Sequence, residues 1–331
     1  MTESAARDVS SGTAAPARVS WKSGSVPIAV VMISLNEAHN MAAVLENLKG
    51  FAHEVFLVDS YSSDETVDIA LSHGVYVVKR KFKGFGDQWN FALRELPVSA
   101  PWTMKLDPDE RLTGALKRSI GEIIARKDAD AFNVCRRLWF MGRPLPVTQV
   151  ILRGWRTGTC RFSDVLVNEY PLVEGRAADS EGDLEHHDSP NLHHWFDKQN
   201  RYSTAEALSA YKGHPLAASP RLFGSKLERR MWLKNHFSKL PMRFALLYAY
   251  NLLATGAWRA GQVGRAWARS RVEIHRAIEL KLIEMRKLGH AYGPPLPNTG
   301  KAHPGALQAD RLRAAGNTGD VYERGAASHE E

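Results

Sequence analysis

The chain has 331 residues, 44% apolar and 24% charged, enough for one large α/β domain with a smaller appended unit. Two cysteines, Cys135 and Cys160, exclude a disulfide framework, and the N-terminus lacks the continuous apolar stretch of a secretory leader, so a reducing cytoplasmic setting is expected. The formal charge of +8 is uneven: residues 221–290 hold fifteen Lys and Arg against four Asp and Glu, a surplus of eleven, and the remainder is net −3.

Residues 1–25 are rich in Ala, Ser and Gly, and residues 291–331 have almost no large apolar side chains. Both read as disordered tails, because neither can bury enough surface to offset ordering entropy. Between them, Ile28–Ile33 is a short apolar, β-branched run of the kind found in buried parallel strands. A helix follows, with Met41, Val44, Leu45 and Leu48 on one face and Gly50 closing it. Val55–Asp59 reads as a second buried strand ending in a carboxylate. Ser62 and Glu65 fit a capping box for the next helix, which stops near Gly74, and Val75–Val78 makes a third strand. Lys83–Asn90 reads as a glycine-containing loop running into a helix through Phe91, Ala92, Leu93 and Leu96. Trp102–Leu106 is a further strand, and Thr113 is a good N-cap for a helix through Ala125. This alternation predicts a doubly wound α/β sheet. From about residue 130 the pattern is irregular, with strands expected at Ala131–Cys135 and Val165–Val167 and Gly- and Pro-rich turns between them. Helical periodicity returns over Trp195–Tyr211 and again over 222–287.

Ligands of open α/β sheets bind beyond the carboxyl ends of the strands, so the polar residues there carry the functional signal. Three such ends are Asn36-Glu37, Asp59 and Asp107-Pro108-Asp109. An isolated Asp-x-Asp is more often a solvated surface turn. Directly after an apolar strand, two carboxylates one residue apart can face a single cation. Mg²⁺ and Mn²⁺ favour such oxygen ligands alongside substrate phosphates.

Four segments together resemble the catalytic domains of glycosyltransferase family 2: Ile33–Glu37, Val58–Thr66, Gly84–Leu93 and Leu106–Glu110. The bacterial lipopolysaccharide-core β-glucosyltransferases are the most similar subgroup, sharing Arg161–Asp164, a later His before a helix, and Asn200-Arg201-Tyr202-Ser203, so the resemblance spans roughly residues 27–210. It implies a GT-A fold with a C-terminal helical extension, divided as a tail over 1–25, a catalytic domain over 26–215, a basic helical region over 216–290 and a tail over 291–331. It implies nucleotide-sugar contacts from Asn36, Glu37, Asp59, Ser60, Gln88, Asn90 and Asp107, with Asp59 at the base. It implies a Mg²⁺ or Mn²⁺ site on Asp107, Asp109 and His186. Where the subgroup has Val-His-Glu this chain has Val167-Asn168-Glu169, and Glu169 is the candidate general base. Residues 148–157 also depart from the subgroup, which bears on the acceptor.

The expected activity is inverting transfer of a hexose, by default from UDP-glucose, to a lipid-linked or lipopolysaccharide-core saccharide. A metal-dependent nucleotidyltransferase would share the carboxylate pair but usually carries a basic, Gly-rich phosphate loop after the first strand. A non-catalytic saccharide-binding protein would not need the intact Asp-Pro-Asp. The basic region, with Phe244, Leu246, Leu247, Tyr248, Tyr250, Leu252, Leu253 and Trp258, favours an anionic membrane surface over nucleic acid. The 15-residue apolar run Phe244–Trp258 contains Asn251 and is short of the ~20 residues a span needs, so an interfacial helix on the inner face of the cell membrane is expected.

Overall fold

The computed structural model describes residues 20–163, 170–213, 219–293 and 321–324. Nine strands form one mixed sheet in the order β11-β3-β2-β1-β4-β7-β6-β10-β5. Its first half is the expected alternation: β1 (Val26–Ser34), α1 (Ala38–Leu48), β2 (Ala52–Asp59), α2 (Thr66–Ser72), β3 (Tyr76–Lys79), α3 (Phe85–Glu95) and β4 (Trp102–Lys105). β1 pairs in parallel with β2 and β4, and β2 with β3. Strand side chains alternate between faces, and β1 shows why both its faces must be apolar. Ile28, Val30 and Met32 join Met41, Val44 and Leu45 of α1 in one core. Ala29 and Val31 join Trp89 and Ala92 of α3 in another.

Beyond β4 the sheet is mixed, with antiparallel pairs and one parallel pair. β5 (Glu110–Leu112) and α4 (Gly114–Arg126) lead into a long hairpin of β6 (Ala131–Phe140) and β7 (Arg143–Arg156), with β7 pairing β4. Sequence reading expected mostly turns here. The amphipathic hairpin was hidden because its polar outer face interrupts the apolar signal. β8 (Cys160–Phe162) and β9 (Pro171–Val173) pair separately, and β10 (Ala177–His186) lies between β6 and β5.

The remaining chain is helical: α5 (Leu192–Tyr211), α6 (Lys226–His236), α7 (Arg243–Ala249), a π turn over Tyr250–Ala254, and α8 (Gly261–Leu288). Ser225 and Glu228 form a reciprocal capping box at α6. A third core of Phe140, Leu145, Trp195, Ala257, Trp267 and Ala268 joins the hairpin, α5 and α8. At Gly264 a Cβ would stand 1.7 Å from the Ala257 carbonyl oxygen, so only glycine lets α8 approach the preceding turn this closely. Lys281 on α8 donates to the Asn200 carbonyl at 2.8 Å, to Asn200 Oδ1 at 2.6 Å and to the hydroxyls of Ser203 and Thr204 at 2.8 Å. The helical region and the sheet domain are therefore stitched together on both sides of residue 215.

Several local expectations are corrected. Residues 20–25 of the expected tail pack against the sheet domain: the Trp21 indole donates to the Ala52 carbonyl at 3.1 Å, and Gly24 N–H does so at 2.7 Å. Within 291–331, β11 (Val321–Arg324) pairs antiparallel with β3 at the sheet edge. The Ser62–Glu65 capping box does not form. Ser62 turns inward to Asp59, while Asp64 Oδ1 accepts from Thr66 N–H at 3.1 Å. α3 begins at Phe85, so Gln88 and Asn90 lie on a helix rather than in a loop. The strand expected at Val165–Val167 lies outside the described residues, as does Glu169. Thr113 does cap α4, accepting from Leu116 N–H at 3.3 Å.

Candidate active site

The strand ends of β1, β2 and β4 meet at one edge of the sheet, and each brings the residues that the sequence singled out. Asn36 and Tyr61 have left-handed backbones, φ 57° and 61°, a conformation that costs non-glycine residues energy and gathers at functional sites. Asn36 holds the two loops together: its N–H donates to Ser62 Oγ at 2.8 Å, and its Oδ1 accepts from Ser63 N–H at 2.8 Å. Glu37 N–H donates to Thr66 Oγ1 at 2.8 Å, and its carboxylate accepts from Asn40 Nδ2 at 2.9 Å. Burial, reinforced by the charge of Asp109, pushes the Glu37 carboxyl up to about 7.

Asp59 is fully buried. One oxygen accepts from Ser34 Oγ at 2.8 Å and Ser62 Oγ at 2.5 Å, the other from Ser62 N–H at 2.7 Å. Its carboxyl is pushed up by burial against those stabilising donors. In this arrangement Asp59 shapes the Ser60–Ser63 loop. Gln88 is likewise fully buried, accepting from Arg80 at 2.7 Å and approaching Ser60 Oγ at 3.4 Å. Asn90 clamps the Phe162 backbone from both sides, donating at 3.0 Å and accepting at 2.8 Å. Asn36, Gln88 and Asn90 thus hold the segments around these strand ends through bonds within the protein.

The Asp-Pro-Asp turn divides its two carboxylates between different partners. Asp107 Oδ2 accepts from Arg153 at 2.8 Å, and Asp107 N–H donates to Glu110 at 3.0 Å. Burial raises the Asp107 carboxyl, but the charges of Arg153 and Lys105 outweigh it and hold it at about 2. Asp109 turns the other way. Its Oδ2 lies 3.1 Å from Lys198 Nζ and 3.3 Å from His186 Nε2. Lys198 also reaches Asp188 Oδ1 at 2.9 Å. Burial raises Asp109, and Lys198 and His186 reverse this, holding it well below the carboxylate range. Burial alone would lower His186, yet Asp109 raises it above the usual imidazole value.

Asp109 is 5% exposed, and its Oδ1 has no hydrogen-bond partner among the described residues. A buried carboxylate oxygen without a donor is costly. Asp109, His186 and Asp188 can each turn one ligand atom to within 4.8 Å of the others. One imidazole and two carboxylates, one of them with an oxygen to spare, fit a hard divalent cation. Of the three residues expected at a metal, Asp109 and His186 lie 3.3 Å apart. Asp107 is hydrogen-bonded to Arg153, and Asp188 lies beside Asp109 and His186.

Sequence reasoning missed Glu110, Arg153, Asp188 and Lys198. Arg153 sits in the stretch set aside as a departure. Lys198 stands two residues before Asn200-Arg201-Tyr202-Ser203, where its spacing on α5 was the available signal.

A family model for glycosyl transferase family 2 matches residues 29–156, which include these strand ends. The lipopolysaccharide core biosynthesis glycosyltransferase LpsC of Rhizobium meliloti (strain 1021) is 28% identical over 251 residues, covering 72% of this chain and 85% of that protein. An uncharacterized glycosyltransferase of Rickettsia bellii (strain RML369-C) is 35% identical over 105 residues, 32% of this chain and 35% of its own length. Among solved structures, a fragment of S. aureus TarS has a TM-score of 0.38 at 15% identity, covering 84% of this chain and 98% of that one.

Proposed function

We propose, from the match of residues 29–156 to the glycosyl transferase family 2 model, that the enzyme transfers a hexose from a nucleotide-sugar, UDP-glucose by default, to a lipid-linked or lipopolysaccharide-core saccharide with inversion. The observation that carries the proposal is the unpartnered, buried Asp109 Oδ1 beside His186 and Asp188 at the carboxyl edge of the sheet. The likeness to LpsC supports the acceptor class.

In this reading the Ser60–Ser63 loop, shaped by Asp59, receives the nucleotide base, with Asn36, Gln88 and Asn90 holding the crevice walls. Asp109, His186 and Asp188 would hold Mg²⁺ or Mn²⁺, which supplies charge neutralisation to the departing diphosphate. Arg153 keeps Asp107 ionised close by, at the diphosphate end. Glu169 takes the proton from the acceptor hydroxyl, whose oxygen attacks the anomeric carbon as the bond to the diphosphate breaks.

The enzyme also sits on the inner face of the cell membrane in this reading. Met242, Leu246, Tyr250, Leu253 and Trp258 are each more than half exposed along α7 and the turns after it. Arg243 and Arg259 lie against neighbouring rings. An apolar face with a basic border suits an anionic interface. Among the described residues no helix is long and apolar enough to cross a membrane.

The deciding experiment gives purified enzyme a panel of nucleotide-sugars with Mn²⁺ and reads heat stabilisation, then transfer to a lipopolysaccharide-core acceptor. UDP-glucose should stabilise most and be consumed. Stabilisation by another nucleotide-sugar replaces the donor, and transfer only to a non-lipid acceptor overturns the acceptor class. The Glu169→Gln enzyme should bind donor normally and fail in transfer. Normal turnover in that variant removes Glu169 as the base.

A further inference from the structure

The Lys198 ammonium lies between the two carboxylates of the cation site, 3.1 Å from Asp109 Oδ2 and 2.9 Å from Asp188 Oδ1, and donates to the Asp188 carbonyl at 3.2 Å. Its side chain is 17% exposed, and those of Asp109 and Asp188 are 8% and 12% exposed. A buried lysine satisfied in this way can be a plain structural ion pair. Two observations argue for more. First, the lysine leaves Asp109 Oδ1 without a donor, so one lysine does not saturate the site. Second, the carboxylates it bridges are the same two that, with His186, can converge on one cation. An ammonium and a divalent ion cannot share so small a space, because like charges at contact repel strongly where water is scarce.

We propose that Lys198 is an exchangeable internal cation, balancing Asp109 and Asp188 in the metal-free enzyme and giving way to the divalent ion to engage the donor's diphosphate. This rests on the metal-dependent reading above. The exchange is a side-chain movement. α5 is tied down at Asn200, Ser203 and Thr204 by Lys281, within about two turns past Lys198, which restrains its backbone. The four-carbon lysine stem swings while its Cα stays. Metal-free protein thereby avoids two adjacent uncompensated buried carboxylates. Metal binding frees a positive charge at the place where the diphosphate's negative charge must be held. Lys198 acts here as a positioning residue until it meets the diphosphate.

The test is Mn²⁺ titration calorimetry on full-length, donor-free protein, repeated with UDP, comparing wild type, Lys198→Met and Lys198→Arg. With the competing ammonium removed, Lys198→Met should bind Mn²⁺ about tenfold tighter or better, while its affinity for UDP in saturating Mn²⁺ falls by about tenfold. A merely structural lysine predicts the reverse, a loosened site with unchanged or weaker Mn²⁺ binding, and that result overturns the proposal. Should Lys198→Met fail to fold, Lys198→Arg carries the test. Its planar fork grips two carboxylates more firmly, so Mn²⁺ affinity should drop by about tenfold. Equal affinity overturns the proposal. If wild type binds no Mn²⁺ even with UDP, the metal-dependent reading fails and this inference falls with it. Mn²⁺ binding by wild type with no gain in Lys198→Met sinks the exchange alone.

Discussion

Arg153 Nη2 lies 2.8 Å from Asp107 Oδ2, and the same nitrogen bonds Glu110, so one guanidinium on β7 holds two acids of the Asp-Pro-Asp-Glu turn apart. The guanidinium is buried, and burial that would lower its proton affinity is outweighed by Glu110 and Asp107, which raise it. Replacing Arg153 with Met leaves the buried Glu110, beside the part-exposed Asp107, without its cation, a change that costs about 3–5 kcal/mol. The Arg153→Met protein should melt well below wild type, and adding Glu110→Gln should recover part of the loss. Asp107 is depressed from 3.8 to about 2, so its stabilising contribution is present above pH about 4 and lost as pH falls through about 2. In Arg153→Met that acid limb should move to higher pH. Equal denaturation curves for the two proteins would show that the bridge contributes nothing.

Asp109→Asn keeps the shape of the side chain and removes its charge. Transfer should fall about 10²-fold or more, the scale of losing one preorganised electrostatic contact. Circular dichroism should still report a folded protein. Turnover near wild type in saturating Mn²⁺ would remove Asp109 from the diphosphate end.

Glu37 gives a pH signature of opposite sign. Its folded-state value is raised from 4.5 to about 7, so the folded protein holds that proton where the unfolded chain has released it. The contribution is full below pH about 4.5 and disappears as pH rises through about 7. In metal-free protein, the stability of wild type relative to Glu37→Gln should therefore decline across that window. Parallel stability–pH curves would contradict the assignment.

Asp59→Ala removes the acceptor for Ser34 Oγ, Ser62 Oγ and Ser62 N–H. Stability should fall, and UDP should bind more weakly by ~1.5–3 kcal/mol, as for a lost hydrogen bond to a charged group. Calorimetry separates the two effects. A destabilised protein with wild-type UDP affinity would mean that the loop, and Asp59 with it, does not serve the base.

Leu246, Tyr250 and Leu253 are exposed, so changing all three to Glu should leave melting temperature and UDP binding nearly unchanged. Flotation with anionic vesicles should be lost. Wild-type flotation should weaken with salt as surface charges are screened. Wild-type protein that stays off anionic vesicles at low salt makes this face something other than a membrane contact.

The parallel half of the sheet was legible because strand segments buried on both faces must be apolar, and the runs Ile28–Ile33, Val55–Val58 and Val75–Val78 are. The strand-end acids were legible because nothing apolar competes with them for that position. The partners that set their chemistry were not. Arg153 lies 46 residues from Asp107, and Lys198 lies 89 from Asp109, and no local pattern marks pairings across such separations. Asn36, Gln88 and Asn90 stood out as polar residues in the right segments. Periodicity does not tell a side chain aimed at a ligand from one bonded to the neighbouring loop. Asp188 carries no mark of its own in the sequence, standing two residues past His186 after the end of β10, and only the geometry groups it with that imidazole and Asp109.

The separation of Asp109 from Lys198 also orders events during synthesis. Chains emerge N-terminus first, and domains fold as their parts appear. β1 to β4 and their helices can pair while the later chain is still being made, so the strand ends carrying Asn36 and Asp59 can form early. His186, Asp188 and α5 arrive afterwards, and Lys281 must follow before α5 is pinned. On the proposed function, a ribosome-bound chain halted before α5 would have the loop assigned to the base and no finished group of Asp109, His186, Asp188 and Lys198. Sugar-nucleotide meeting such a half-made chain is held at one end only, and truncated products should be inert rather than wasteful hydrolases.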